Sequence, residues 1–179
     1  MTLNDILTAS PAQPDRGRDA QTMEANRERL TGYANEAQAD LARAMGFSRT
    51  DELEVTDGVA DLSKLPRACV KVLKAEQLGH EVRFGRGSAT GLITLPYSEP
   101  ARVTYLCEPK PLRLPGDVSE LPLYCHGLIP GYVVGRERMA GDTSTQRGAN
   151  IYLSMYETAK AKLRPHSGDP ESYRIKNRY

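Results

Sequence analysis

The sequence predicts an α+β chain: an N-terminal long helix packed on a C-terminal antiparallel helical hairpin, with a small antiparallel β unit inserted between them and an extended C-terminal tail. Three observations lead there. Residues 19–45 and 117–163 place apolar side chains at a spacing near 3.6, the period of a half-buried helix. Residues 51–111 switch to short β-branched runs punctuated by glycine turns. Residues 164–179 follow neither period and are broken by proline.

Taken in order, residues 1–18 begin with Leu3, Ile6 and Leu7 and pass into SPAQPDRGR, which predicts an N-terminal arm outside the core. From Asp19 to Met45 the stripe Met23, Leu30, Ala34, Ala37, Leu41 and Ala44 predicts the longest helix, about 40 Å in length. Asp19 suits its N-cap and Gly46 the left-handed position that ends it. A stripe in which three of six residues are alanine buries too little surface to hold the helix against backbone entropy, so it needs a partner.

That partner is the hairpin. Leu121, Cys125, Leu128, Ile129, Tyr132, Val133 and Met139 form one stripe, and Ala149, Tyr152, Leu153, Tyr156, Ala159 and Leu163 the other. Gly141-Asp142-Thr143-Ser144 supplies the stop and restart between them, and so short a loop makes the helices antiparallel. Leu30 and Leu41 are expected to pack against Leu128, Tyr132, Tyr152, Leu153 and Tyr156, so that residues 19–50 and 112–163 form one bundle. Pro130, flanked by Gly127 and Gly131, predicts a kink there or two short helices meeting at an angle.

Within residues 51–111, Asp57-Gly58 and Leu78-Gly79-His80 mark turns. Strands are predicted around 53–55, 59–62, 69–73, 81–84, 92–95 and 102–106, the last with clear alternation. Pro109, Pro111 and Pro115 close the β subdomain.

Composition narrows the function classes. The 179 residues suit one domain, and a formal net charge of +1 points to neither a strongly acidic nor a strongly basic partner. Cys69, Cys107 and Cys125 are odd in number and lack close spacing, which predicts unpaired thiols in a reducing cytosol, with Cys125 buried. No apolar run approaches the ~18 residues of a membrane span, and the start lacks the build of a signal peptide, so no membrane association is expected.

Signs of catalysis are weak. Gly85-Arg86-Gly87-Ser88-Ala89-Thr90-Gly91 looks like a phosphate loop but lacks the Gly-Lys-Ser/Thr ending and precedes a strand, which favours a hairpin connection. Cys125 and His126 are helix neighbours about 100° apart and cannot pair directly. His80, His126 and His166 have no metal-ligand spacing. Tyr132, Tyr152 and Tyr156 sit at core spacing more naturally than as a platform for stacking bases. No catalytic residue, metal site or cofactor is expected.

The order of elements carries more information than any motif. Residues 29–43 read RLTGYANEAQADLAR, followed by the phrase Asp61-Leu62-Ser63-Lys64-Leu65-Pro66-Arg67. Then come the strand Val103-Thr104-Tyr105, the helix entry Glu120-Leu121-Pro122 and the closing phrase Ala149, Tyr152, Tyr156, Glu157. This ordered set over residues 20–163 resembles the head-to-tail adaptor (connector) proteins of tailed bacteriophages, including the tail-tubular adaptors; Pro130-Gly131 departs from their straight helix.

The resemblance implies a non-enzymatic virion protein at the head–tail junction, assembled in the host cytoplasm. It implies a homo-oligomeric, dodecameric ring beneath the portal protein, which extends the DNA channel and seats the next tail or neck component. Genomic DNA would pass without sequence recognition, and near-balanced charge suits a conduit that does not grip phosphates. The tail, residues 164–179, could reach about 50 Å, and Tyr173, Arg174, Ile175, Lys176, Arg178 and Tyr179 are its candidate portal anchors. Two other classes remain open. A nucleic-acid-binding regulatory module using the basic tail would bind short duplexes in a salt-sensitive way. A small enzyme using Cys125, His126 or the glycine loop would lose activity on single substitutions there.

Overall fold

The computed structural model of the chain describes residues 1–10, 20–140 and 143–163. Asp19, the turn residues Gly141 and Asp142 and the whole of the tail lie outside them. Where composition predicts an arm, the chain begins with helix α1 (Leu3–Ala9). Thr2 and Asp5 form a capping box: the Thr2 N–H donates to the Asp5 carboxylate at 2.9 Å and the Asp5 N–H to the Thr2 hydroxyl at 3.1 Å. Leu3, Ile6 and Leu7 are all buried, because their spacing puts them on one face of this helix. That packing holds in place a helix too short to persist alone.

Helix α2 (Ala20–Met45) buries Leu30, Ala34, Ala37, Leu41, Ala42 and Met45. Its end is a Schellman turn: Gly46 takes φ +69°, the Phe47 N–H donates to Ala42 O at 2.8 Å and the Gly46 N–H to Arg43 O at 3.4 Å. The reversal leaves Phe47 packed against both hydrophobic cores of the molecule, at the joint between helices and sheets.

The β part corrects the expected fold. It is no small insert but a larger sheet region flanked by helices. Its strands are β1 (Ser48–Leu53), β2 (Val55–Thr56), β3 (Val59–Asp61), β4 (Cys69–Gln77), β5 (His80–Val82), β6 (Gly85–Arg86), β7 (Leu92–Thr94) and β8 (Ala101–Cys107). They form two antiparallel four-stranded sheets, in the orders β1-β8-β4-β5 and β2-β3-β7-β6. Leu53, Val55, Ala60, Ala75, Ile93, Leu95, Val103 and Tyr105 bring both sheets into one core. The underestimate has a physical cause. Strand β1 reads SRTDEL and buries only Leu53, so it carries no apolar alternation, yet six residues pair with β8. An edge strand can be held by its backbone ladder while its side chains face water.

Where one face is buried, the alternation is plain: Ala101, Val103, Tyr105 and Cys107 of β8 point inward. Two hairpins turn on two residues each. Asp57-Gly58 has φ of 52° and 73°, and Leu78-Gly79 has φ of 54° and 77°, as a type I′ turn requires.

The remaining helices are α3 (Leu123–His126), α4 (Leu128–Met139) and α5 (Thr143–Lys160). The interruption falls at Gly127, with no kink inside a continuous helix at Pro130. Pro130 is the third residue of α4, in the first turn, where its missing N–H has no intrahelical acceptor to lose. Helix α4 lies between α2 and α5 and also touches α1. At Gly135 a Cβ would stand 2.8 Å from Leu153 Cγ, so the absence of a side chain there sets how closely α4 and α5 approach. Met139, expected on the inner stripe, is exposed.

Candidate functional site

The segment 108–122 joins the sheets to the helices, and a buried polar network fixes it to α2. Asn35 and Gln38 are three residues apart on one face of α2. The Asn35 amide donates to Leu112 O at 3.0 Å and accepts from the Leu112 N–H at 2.8 Å, a reciprocal pair like that of two strands. Gln38 is 1% exposed, and its carbonyl accepts from the Ser119 hydroxyl at 2.6 Å. Its amide donates more loosely, to Asn35 Oδ1 at 3.3 Å and Lys110 O at 3.4 Å. A polar network in an apolar face stabilises only if its members are satisfied, so these contacts specify where the linker lies.

Glu120, in the same segment, accepts from the Lys110 N–H at 2.8 Å and from the Arg67 guanidinium at 2.6 Å. Burial alone would raise its carboxyl, but these donors outweigh it and hold the group below the usual carboxylate range. Behind Arg67 the sheet contributes a second group: Tyr105 donates to Asp51 at 2.8 Å, and Arg49 donates to the same carboxylate at 3.3 Å. Burial, then the Asp51 charge, pushes the Tyr105 phenol up to about 12. Neutral amides thus tie the linker to α2, and the Arg67–Glu120 ion pair ties it to the residues that lead into β4.

On the bundle side, Leu30, Leu41 and Tyr156 are buried in the helical core, with Leu128 and Tyr132 half-buried against it. Tyr152 and Leu153 sit on the α4 side: the Arg138 guanidinium lies 5.2 Å from the Tyr152 ring, and Leu153 meets Gly135. So α2 packs mainly on α4, while α5 reaches α2 through polar contacts. The Tyr156 hydroxyl donates to Asp40 at 2.7 Å and Lys160 to the same oxygen at 2.8 Å. Burial, reinforced by Asp40, drives the Tyr156 phenol far above its ordinary value. The Tyr132 and Tyr156 rings lie 4.9 Å apart and tilted, and Tyr132 donates to Glu36 at 3.3 Å. These two rings are engaged with each other and with carboxylates, which leaves little face for stacking a base.

The possible nucleophile–base pair is not assembled. Cys125 lies 3.7 Å from the Met45 sulfur, while His126 Nε2 donates to Leu121 O at 2.7 Å and Nδ1 accepts from the Met1 amino group at 3.1 Å. A carbonyl only accepts and an ammonium only donates, so both ring nitrogens are occupied in one neutral tautomer. The glycine segment is the β6–β7 hairpin connection, where the Gly87 N–H donates to Leu92 O at 2.9 Å. Among the described residues no three His, Cys, Asp or Glu side chains group as metal ligands. Among them, too, no helix is long and apolar enough to cross a membrane.

Two kinds of contact residue stand out differently. Tyr173, Arg174, Ile175, Lys176, Arg178 and Tyr179 lie outside the described residues. On the described surface, Leu123 is 82% exposed, and Ile151 and Met155, one turn apart on α5, are 61% and 65% exposed. Sequence reasoning missed both these and the Asn35–Gln38 clamp. The available signal was two amides placed among Ala34, Ala37 and Leu41 on the buried face. No protein-family model and no curated protein matches the chain.

Proposed function

We propose that this chain is a non-enzymatic head-to-tail adaptor of a tailed bacteriophage, assembled as a ring beneath the portal. One observation carries the proposal. The short phrases that resemble the adaptor family are scattered over more than a hundred residues, yet their members bond to one another. Arg67 of the leucine-proline phrase pairs with Glu120 of the helix entry at 2.6 Å. Asp40 of the helical phrase accepts from Tyr156 of the closing phrase at 2.7 Å. Gln38 holds Ser119 beside that entry at 2.6 Å. These contacts support the reading in that the phrases belong to one packed unit, as the subunit of an adaptor ring requires.

In this role the exposed Ile151 and Met155 supply apolar surface for neighbouring copies, and the ring seats the next tail component. A net charge of +1 lets genomic DNA slide through, since each added phosphate contact would add salt-dependent affinity. The terminal YRIKNRY supplies aromatic and arginine anchors for the portal. The experiment is truncation. A chain ending at Leu163 is expected to fold with unchanged circular dichroism yet fail to co-sediment with cognate portal rings. Undiminished co-sedimentation would remove the tail from the proposal, and failure of the full-length chain to co-sediment would remove the adaptor role itself.

A further inference from the structure

Cys69 and Cys107 are direct partners at the end of the β4–β8 ladder. Which kind of partner decides what their thiols can do. The Cys107 N–H donates to Phe47 O at 3.2 Å, on the β1 side of the strand. In an antiparallel ladder a residue's N–H and C=O point the same way, so toward β4 Cys107 occupies a non-hydrogen-bonded position. That is the narrow pair, with Cα atoms about 4.5 Å apart and the side chains on one face. A disulfide needs Cα atoms about 4.4–6.8 Å apart, a range that includes the usual spacing of such a pair. Packing agrees: Cys107 belongs to the sheet core and Cys69 packs against it. Immediately beyond the pair the register shifts and leaves Val70 without a partner on β8, so the ladder is interrupted beside Cys69. Cys107 is buried and Cys69 half-buried, so Cys69 is the thiol of the pair that an oxidant in solution reaches first.

We infer that Cys69 and Cys107 form a site of oxidative modification, closing to a cross-strand disulfide when the chain meets a disulfide oxidant such as oxidised glutathione. The Cys69 thiolate, its proton gone to solvent, attacks one glutathione sulfur; the S–S bond breaks, and one glutathione thiolate leaves. Cys107 then loses its proton and attacks the Cys69 sulfur of the mixed disulfide, and the second glutathione thiolate leaves. Two protein thiols are oxidised to one disulfide, and one glutathione disulfide is reduced to two thiols. The bond would join the strand that follows Arg67 to the strand that leads into segment 108–122, stapling the place where sheet, linker and helix meet. Cys125, buried against Met45, takes no part. The inference does not depend on the adaptor role. A chain kept reduced during assembly in a cell would acquire the bond only on reaching oxidising surroundings.

The test uses the full-length native protein, reduced, desalted and incubated with oxidised glutathione at mildly alkaline pH. It is then denatured, alkylated and mapped by mass spectrometry without reduction. Peptides carrying Cys69 and Cys107 are expected to be linked, lighter by two hydrogens, with Cys125 the alkylated cysteine. A Cys125→Ala variant should give the same link, and a Cys69→Ser variant should leave Cys107 fully alkylated. The inference is overturned if Cys69 ends as a glutathione adduct with Cys107 still alkylatable. It is equally overturned if Cys69 links two copies, or if all three thiols remain free after prolonged incubation.

Discussion

Replacing Gln38 by Leu tests the clamp that positions the linker. The side chain is 1% exposed, so leucine, similar in size and apolar, enters the core without an obvious loss of packing. The cost lies in the partners left behind. Asn35 Oδ1 keeps the Leu112 N–H at 2.8 Å, and Lys110 O loses only a 3.4 Å contact on an exposed residue. Ser119, 5% exposed, loses the acceptor it donates to at 2.6 Å. A buried donor left without an acceptor costs about 1–3 kcal/mol, so Gln38→Leu should lose about 2 kcal/mol. Ser119→Ala strands the Gln38 carbonyl and should cost a similar amount. The double variant strands neither group and should be no less stable than the worse single, a coupling of at least about 2 kcal/mol. In a chain of this length each single should melt about 4–8 °C lower. Urea unfolding followed by circular dichroism supplies the free energies for the cycle. Additive losses, or singles within about 0.5 kcal/mol of the parent, would refute the clamp.

Two further predictions concern the core and the carboxylates. Leu41→Asp puts an unpaired carboxylate where the side chain is 0% exposed and should cost several kcal/mol, comparable with total stability; a melting curve like the parent's would contradict the core assignment. Asp40, Asp51 and Glu120 all have lowered carboxyl pKa values in the folded chain, against the raising effect of burial, because Lys160, Tyr156, Tyr105, Arg49, Arg67 and the Lys110 N–H donate to them. A depressed folded value means the unfolded chain binds protons first as pH falls. The stability is therefore fully present above about pH 4–5 and declines as pH drops through the lowered values. Urea midpoints measured from neutral pH downward should be flat and then fall in that window; a decline starting near pH 6, or none at all in strong acid, would contradict this assignment.

How far the sequence is legible depends on whether burial and local pattern coincide. Helix α2 is read readily because its apolar stripe is its buried face, and β8 because Val103, Tyr105 and Cys107 alternate with outward residues. Both type I′ turns are signalled by the glycine at the second of their two positive-φ positions. Strand β1 is not legible, since an edge strand held by backbone pairing shows no apolar alternation, and so the extent of the sheets was hidden. Helix α1 is read as an arm because three apolar residues become a buried face only when the rest of the core is present. Pro130 signals a break, but only the chain's path places it at Gly127. The clamp formed by Asn35 and Gln38 is hidden for the opposite reason: amides normally mark a solvated face, and here Gln38 is buried and Asn35 half-buried because segment 108–122 brings acceptors and donors to them. The Cys69–Cys107 pairing depends on a strand register shifted by bulges, which spacing in sequence does not encode.

The adaptor role stands or falls on assembly with the portal. Electron microscopy of the purified full-length chain mixed with its cognate portal measures this directly. The expected image is an added layer beneath each portal ring, with the copy number of the portal and an open central channel. Portal rings that stay bare, with the chain remaining monomeric in excess, would contradict the role.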